Sequence, residues 1–151
     1  MSKQILSPFT GTIHPIEEAP DPAFAMKILG DGFFVSPSEG IVLAPADGEI
    51  TYIAPTLHGI RMTADDGTLF TLHIGTNSCE LKGAGFTVFV AEGAHVKTGG
   101  KLLAFEPSLL RANPKTTDAC ILLVEEMPEG KNVRLTTSGS VAALAPVAVI
   151  D

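Results

Sequence analysis

Two histidines, His58 and His73, lie in a segment whose pattern predicts a β-hairpin, and a glycine follows each of them closely, Gly59 and Gly75. A neutral imidazole is a nucleophile near neutral pH, with an ordinary pKa near 6.5, and it can accept a phosphoryl group or bind a metal ion. A second imidazole N–H beside it can bind a phosphoryl oxygen and offset developing charge. Two histidines on one face would therefore suit phosphoryl transfer or metal binding.

Whether the histidines share a face depends on the hairpin register. An Asp-Gly dipeptide at 66–67 favours a two-residue turn, which would place Ile60 opposite His73. His58 would then lie diagonally from His73 on the same face. A three-residue turn would place Gly59 opposite His73 and, by strand alternation, send the two histidines to opposite faces. We predict the two-residue turn.

The second strand of the hairpin alternates in character, with His73 on its more mixed face beside Thr71. We expect the other face to point into the core; its residues are Phe70, Leu72 and Ile74.

Thr56 lies two residues before His58, on the same strand face if the strand extends that far, so its hydroxyl could orient that imidazole and fix its tautomer. The same threonine could simply favour a strand. A zinc site is a rival interpretation, because Cys79 could join His58 and His73 as a third ligand, although the spacing matches no standard zinc motif.

The chain as a whole predicts an all-β domain. It has 151 residues, of which 45% are hydrophobic and 18% charged, which suits a folded domain rather than a disordered chain. Turn signals recur every 8 to 15 residues between short runs rich in β-branched residues, typical of a sandwich or barrel. We predict one short helix within 106–115 and one helical turn within 20–29.

Charge and termini limit the function classes. The formal net charge of −7, without a lysine or arginine cluster, excludes a typical nucleic-acid binder and suits a basic protein partner. The N-terminus lacks the apolar region of a signal peptide, and no apolar run approaches the length of a membrane span. Cys79 and Cys120 lie far apart and form no CxxC motif, so we expect reduced thiols in a cytoplasmic protein.

The motif around His73 resembles the active-site signature of the glucose-type enzyme IIA (type 1) of the bacterial phosphoenolpyruvate-dependent sugar phosphotransferase system. Further matching segments follow the family's order along nearly the whole chain: "SPFTGTIHPIEEAPDPAFAMKILGDGFFVSP", "APADGEI", "TLHGI", "LHIG", "ELKGAGF", "EGAHVKTGGKLLAFE" and "TSGSV". The resemblance implies a single domain over residues 1–151, with an antiparallel β-sandwich or flattened barrel of the duplicated hybrid motif type. The initial Met1 favours a free-standing protein over a domain of a longer permease.

The resemblance also implies the roles of individual residues. His73 would accept a phosphoryl group from the phosphohistidine carrier protein HPr and pass it to a cysteine of the IIB domain of a sugar permease. His58 would stabilise the group, and Thr56 would orient His58. Asp31 would lie at the partner-binding rim, with Gly75 and Asn77 also partner-binding; no cofactor is implied. The membrane would be reached only through the permease.

The chain departs from the family pattern after His73. Thr76, Asn77 and Ser78 stand where the family usually has an aliphatic residue, Asp and Thr, so one rim charge is missing. Such a change could retune partner docking. Two alternatives therefore remain open: a regulatory protein-binding module of the same fold that no longer transfers phosphate, or a zinc-binding protein. In the family, a metal can bridge the two histidines to a partner, so adventitious zinc at His58 and His73 would not be unexpected.

Lysostaphin-type zinc peptidases and lipoyl or biotinyl carriers share this strand and turn style. The chain has no H-x-H pair for the first class. It lacks the modifiable lysine turn of the second.

Overall fold

The structure, a computed structural model, describes residues 3–151 and consists mainly of short antiparallel strands. This confirms the predicted all-β class with short helical turns. Single 3₁₀ turns at Ile16–Glu18 and Ser78–Leu81 complete the set of elements. The helices and strands are α1 (Pro22–Ala25), α2 (Pro107–Ala112), β1 (Lys3–Leu6), β2 (Gly11–Pro15), β3 (Asp31–Pro37), β4 (Ile41–Leu43), β5 (Gly48–Ile53), β6 (Gly59–Ala64), β7 (Leu69–Thr76), β8 (Phe86–Val88), β9 (His95–Val96), β10 (Lys101–Phe105), β11 (Thr117–Glu125), β12 (Val133–Leu135), β13 (Gly139–Val141) and β14 (Pro146–Ile150).

Both helices coincide with the segments predicted to hold them. Each begins with proline at a first-turn position, where the missing N–H costs nothing, and Asp21 caps α1 by accepting a hydrogen bond from the Ala23 amide. No helix within residues 3–151 has the length and apolar character needed to cross a membrane.

The strands form one large sheet and two small ones. The eight-stranded sheet has the order β13-β2-β3-β11-β7-β6-β5-β9, and the three-stranded sheets have the orders β1-β14-β12 and β4-β10-β8. The pairings are antiparallel, and the large sheet remains open between β13 and β9 rather than closing into a barrel. The fold is therefore a sandwich, and the flattened-barrel alternative is not observed.

The small sheets cover the inner face of the large sheet. Alternate residues of β6 and β7 point into this core, and the prediction that Phe70, Leu72 and Ile74 face inward is confirmed. Residues of the small sheets complete the same cluster; they include Ile5, Val42, Phe86, Leu102, Leu103 and Val147. Removing this much apolar side-chain surface from water is the main stabilising term for such a sandwich.

A second, smaller apolar cluster lies on the outer face of the large sheet. Ile16 and Phe24, from the segment between β2 and β3, pack over Phe34, Ile121 and Leu123 of the sheet. The part of the sheet covered by this segment ends beside β7, where the rings of Phe24 and His73 lie with their centroids 5.2 Å apart. His73 consequently lies at the border between a covered and an open part of the sheet.

The predicted register of the β6–β7 hairpin is wrong. Gly59 pairs with His73, which is the register of a three-residue turn rather than a two-residue turn. The Ala64 amide donates to the Thr68 carbonyl, and Gly67 takes a positive φ of 93°. A type I turn closed by a left-handed glycine also satisfies an Asp-Gly pair, so this dipeptide does not distinguish the two turn lengths.

Gly75 occupies a bulge at the end of β7. Between Ile74 and Thr76 the partner strand β11 advances from Cys120 to Thr117, so β11 carries an additional residue here. Gly75 has a φ of 76°, and a Cβ atom built on it would lie 2.6 Å from the Thr117 carbonyl oxygen. Both the conformation and the space therefore require glycine.

We predict that Gly75→Ala lowers the free energy of unfolding by about 3 kcal/mol, because it adds a steric clash to an unfavourable backbone conformation. Gly67→Ala is the matched control: Gly67 also has a positive φ, but nothing lies within 4 Å of its Cβ position. We expect the control to lose only about 1 kcal/mol. Urea unfolding followed by circular dichroism measures both, and equal losses would contradict the steric argument.

Candidate functional site

The two histidines meet on the outer face of the large sheet. The ring centroids of His58 and His73 lie 4.9 Å apart, with an interplanar angle of 77°. This proximity arises in the register that was expected to separate them. His58 precedes the regular part of β6 and follows Leu57, which has a positive φ of 67°, so strand alternation does not fix its side-chain direction.

The backbone around His58 positions its ring. The His58 carbonyl accepts a hydrogen bond from the Ile74 amide at 2.7 Å, which ties the turn after β5 to β7. Gly59 stands directly opposite His73 and has no side chain to cover the His73 ring. The space beside His73 on this face is therefore left to the imidazole of His58.

His73 is held in one tautomer when neutral. Its Nδ1 lies 2.6 Å from the carbonyl oxygen of Gly75. A carbonyl can only accept, so Nδ1 carries the proton and donates, and Nε2 keeps its lone pair. His73 thus presents an unprotonated nitrogen at the opposite side of the ring.

Its surroundings lower the pKa of His73 to about 4. Burial is the main cause, and repulsion from a charged His58 adds to it. The hydrogen bond to Gly75 and the negative charge of Asp21 act in the opposite direction without offsetting these effects. His73 is therefore neutral near pH 7.

His58 is oriented by Thr56, whose Oγ1 lies 2.7 Å from Nδ1 of the ring. Burial lowers the pKa of His58, and a hydrogen bond with the Thr56 backbone raises it in part. Thr56 and both histidines line a pocket of about 260 Å³. Other lining residues include Tyr52, Gly59, Arg61 and Thr71.

Two residues near His73 were missed by the sequence analysis: Phe24, which contacts the ring, and Asp21, whose charge raises the pKa of His73. The "PDPAF" segment carried a usable signal, because an Asp before Pro predicts a helix cap. Only the folded chain shows that this cap lies beside β7.

Asp31 lies apart from the histidine pocket. It pairs with Val124 of β11, whereas His73 pairs with Ile121, so the two differ by roughly 10 Å along the strands at about 3.4 Å per residue. Its carboxylate is mostly buried and accepts hydrogen bonds from the Gly32 and Val133 amides. This places Asp31 as an anchor of the chain; its predicted contact with a partner stays a prediction.

Asn77 is exposed just beyond the pocket strand. It adopts a left-handed conformation with a φ of 54°, which asparagine tolerates better than most residues. Its side-chain amide donates to the Lys115 carbonyl at 3.0 Å, a bond that an ionised aspartate could not make. Its predicted role in partner binding stays a prediction.

Within residues 3–151 there is no group of three or more histidine, cysteine or acidic side chains placed to hold a metal ion. Cys79 thus does not join His58 and His73 as a third ligand. His14 and His95 lie elsewhere: His14 stacks on Phe34, and His95 pairs with Asp65.

Comparison with known proteins identifies the family of the chain. Residues 3–128 match the family model described as phosphoenolpyruvate-dependent sugar phosphotransferase system, EIIA 1. A glucose-specific EIIA component from Bacillus cereus is 41% identical over 119 residues, which cover 79% of this chain and 72% of that protein. The corresponding component from Oceanobacillus iheyensis is 37% identical over 134 residues, covering 87% and 81%.

A solved structure shows the same fold. The glucose permease IIA from Mycoplasma capricolum superimposes with a TM-score of 0.86 and 29% identity, and the match covers 99% of this chain and 96% of that one. The matched family model, the relatives and this fold lead to one assignment. The chain belongs to the EIIA type 1 family of the phosphoenolpyruvate-dependent sugar phosphotransferase system, and it is a phosphotransferase component of the glucose type.

Proposed function

We propose that His73 accepts a phosphoryl group on Nε2 from the phosphohistidine carrier protein HPr and passes it to the IIB cysteine of a sugar permease. The observation that carries this proposal is the Nδ1–H bond from His73 to the Gly75 carbonyl, which leaves Nε2 unprotonated beside His58. The low pKa of His73 supports it, because a protonated ring has no lone pair to attack phosphorus.

The chemistry balances without a cofactor. The Nε2 lone pair of His73 attacks the phosphorus, a new N–P bond forms, and the electron pair of the broken N–P bond returns to the imidazole of the carrier. In the second transfer, a cysteine thiolate attacks the phosphorus, and the electron pair of the His73 N–P bond returns to Nε2. Catalysis of such transfers depends mainly on positioning and on stabilising the charge of the oxygens.

His58 supplies part of that stabilisation. We assign His58 the tautomer in which Nδ1 accepts from the Thr56 hydroxyl, so that its Nε2–H donates to a phosphoryl oxygen on His73. Thr56 acts through His58 and is therefore a positioning residue.

The surface around the site fits protein partners. Met26, Ile28 and Leu29 follow the helix that carries Phe24, and their side chains are 70%, 68% and 51% exposed. An exposed apolar group of this kind, on a chain with a net charge of −7, suits docking of basic partner surfaces.

Asp31 contributes to partner binding by holding this segment, because Lys27 lies 3.6 Å from its carboxylate. Gly75 contributes by orienting His73, and Asn77 by contacting partners from its exposed position just beyond β7.

A purely regulatory binding module of the same fold remains the second hypothesis, since Asn77 stands where the family usually has a charged residue. Phosphotransfer separates the two hypotheses. A wild-type protein that takes no label from the phosphorylated carrier would leave only the regulatory function.

We expect His73→Gln to abolish labelling, because the attacking nitrogen is lost. We expect His58→Gln to accept the group and to pass it to IIB about 100-fold more slowly, because a donor to the phosphoryl oxygens is removed. Thr56→Val, which loses the bond to Nδ1, should slow the same step by about tenfold. Transfer of ³²P from phosphoenolpyruvate through HPr to this chain and to IIB measures both steps.

His14→Gln is the control, since His14 lies away from the pocket, and it should behave as wild type. Undiminished labelling of the His73 variant would place the acceptor elsewhere. Wild-type delivery by the His58 variant would contradict the role of that residue.

The low pKa of His73 predicts acid-sensitive stability. The pKa of His73 is lower in the folded protein than in the unfolded chain. Between pH 6.5 and about 4, His73 therefore binds a proton in the unfolded chain but not in the folded protein. The free energy of unfolding should therefore fall as the pH drops through this window, by about 3 kcal/mol from His73 alone. Urea unfolding at several pH values measures this in wild type and His73→Gln, and the variant should lose that part of the dependence. Parallel curves would contradict the shift.

A further inference from the structure

Arg61 is the basic residue that lies closest to the phosphoacceptor in the β6–β7 ladder. It pairs with Thr71, and this pair lies two residues along each strand from the pair of Gly59 and His73. The two pairs therefore share a face of the sheet. Diagonal neighbours of this kind have Cα atoms about 7–8 Å apart, within reach of an arginine side chain. Arg61 lines the same pocket as His58 and His73, and it is the pocket's only lysine or arginine among the residues that the structure describes.

The present partners of Arg61 hold it loosely. Its Nε lies 3.9 Å from Glu125 Oε1, and its guanidinium carbon lies 5.7 Å from the centre of the Tyr52 ring. The side chain is 58% exposed. Glu125 is bound more closely by the Thr71 hydroxyl, which donates to the same oxygen at 2.6 Å. A wide ion pair whose arginine is exposed contributes little to stability, so the guanidinium can change partners at small cost.

A phosphoryl group on His73 creates a demand for positive charge. It carries about −1.5 to −2 charges near pH 7 and has three acceptor oxygens. His58 offers one donor, whereas the carboxylates of Asp21 and Glu125 are also near the outer face. A guanidinium matches phosphoryl oxygens with two parallel N–H donors.

We propose that Arg61 leaves Glu125 and binds the phosphoryl oxygens once His73 is phosphorylated. This inference rests on the proposed function of His73. Arg61 then stabilises the doubly charged form of the phosphoryl group and raises the phosphorylated fraction of the protein. Tyr52 keeps the arginine stem on this side of the pocket through its ring face.

The test follows the titration of the phosphoryl group itself. Wild type, Arg61→Gln and Arg134→Gln are phosphorylated with phosphoramidate, and the ³¹P chemical shift of phosphohistidine is recorded against pH. Arg134 is the matched control, because it is an exposed arginine on β12, in another sheet, and it is paired with Asp151. We expect Arg61→Gln to raise the phosphoryl pKa by about half a unit to one unit, and Arg134→Gln to leave it unchanged.

Salt distinguishes contact from a distant charge. At about 1 M salt the Debye length is about 3 Å, so a difference that persists there requires direct binding. Loss of the difference at high salt, or an Arg61→Gln curve that coincides with wild type, would overturn the proposal. Arg61→Lys keeps the charge without the paired donors and should shift the pKa by a smaller amount in the same direction. If Arg61→Gln does not fold, Arg61→Lys replaces it in the test. A phosphoryl pKa unchanged in the lysine variant would then refute the proposal.

The same spectra separate this inference from the proposed function. The proposed function of His73 requires a phosphohistidine signal that is present in wild type and absent in His73→Gln. Without such a signal, that function is refuted. If that signal is present and Arg61→Gln titrates as wild type does, only the role of Arg61 fails.

Discussion

The hydrogen bond from His73 Nδ1–H to the Gly75 carbonyl is the interaction on which the protonation pattern of the candidate site depends. It selects the tautomer and leaves the lone pair on Nε2. The carbonyl points toward the ring because Gly75 adopts a positive φ at a bulge, where β11 carries an additional residue. The backbone of the sheet therefore sets the protonation pattern of a side chain two residues earlier.

The two faces of the large sheet have separate tasks. The inner face joins the main core and fixes the register of β6, β7 and β11. The outer face is covered by the segment that carries Ile16 and Phe24, and the cover ends at His73. This border position removes enough water to keep the imidazole neutral while one side of the ring stays open to the pocket.

The polar groups around the pocket form two sets with different strengths. Thr56 with His58 and Gly75 with His73 are close contacts that hold the rings in place. The pair of Arg61 and Glu125 is wide, and its arginine is exposed. This division suits the proposed phosphoryl transfer, because rigid nitrogen positions reduce reorganisation and a loosely held cation is free to follow a transferred charge.

Sequence patterns correctly predict the fold class, the two short helices and the inward face of Phe70, Leu72 and Ile74. They also single out His58 and His73 as the candidate site. These follow from local signals: alternation along strands, proline at helix starts, and a histidine motif typical of the family. The sequence did not determine the hairpin register, because an Asp-Gly pair is compatible with turns of two or three residues. It also could not show that Leu57 turns His58 toward His73, or that Asp21 rather than Asp31 lies near the ring. Those features depend on left-handed residues, a bulge and packing between segments distant along the chain, and only the tertiary structure brings these together.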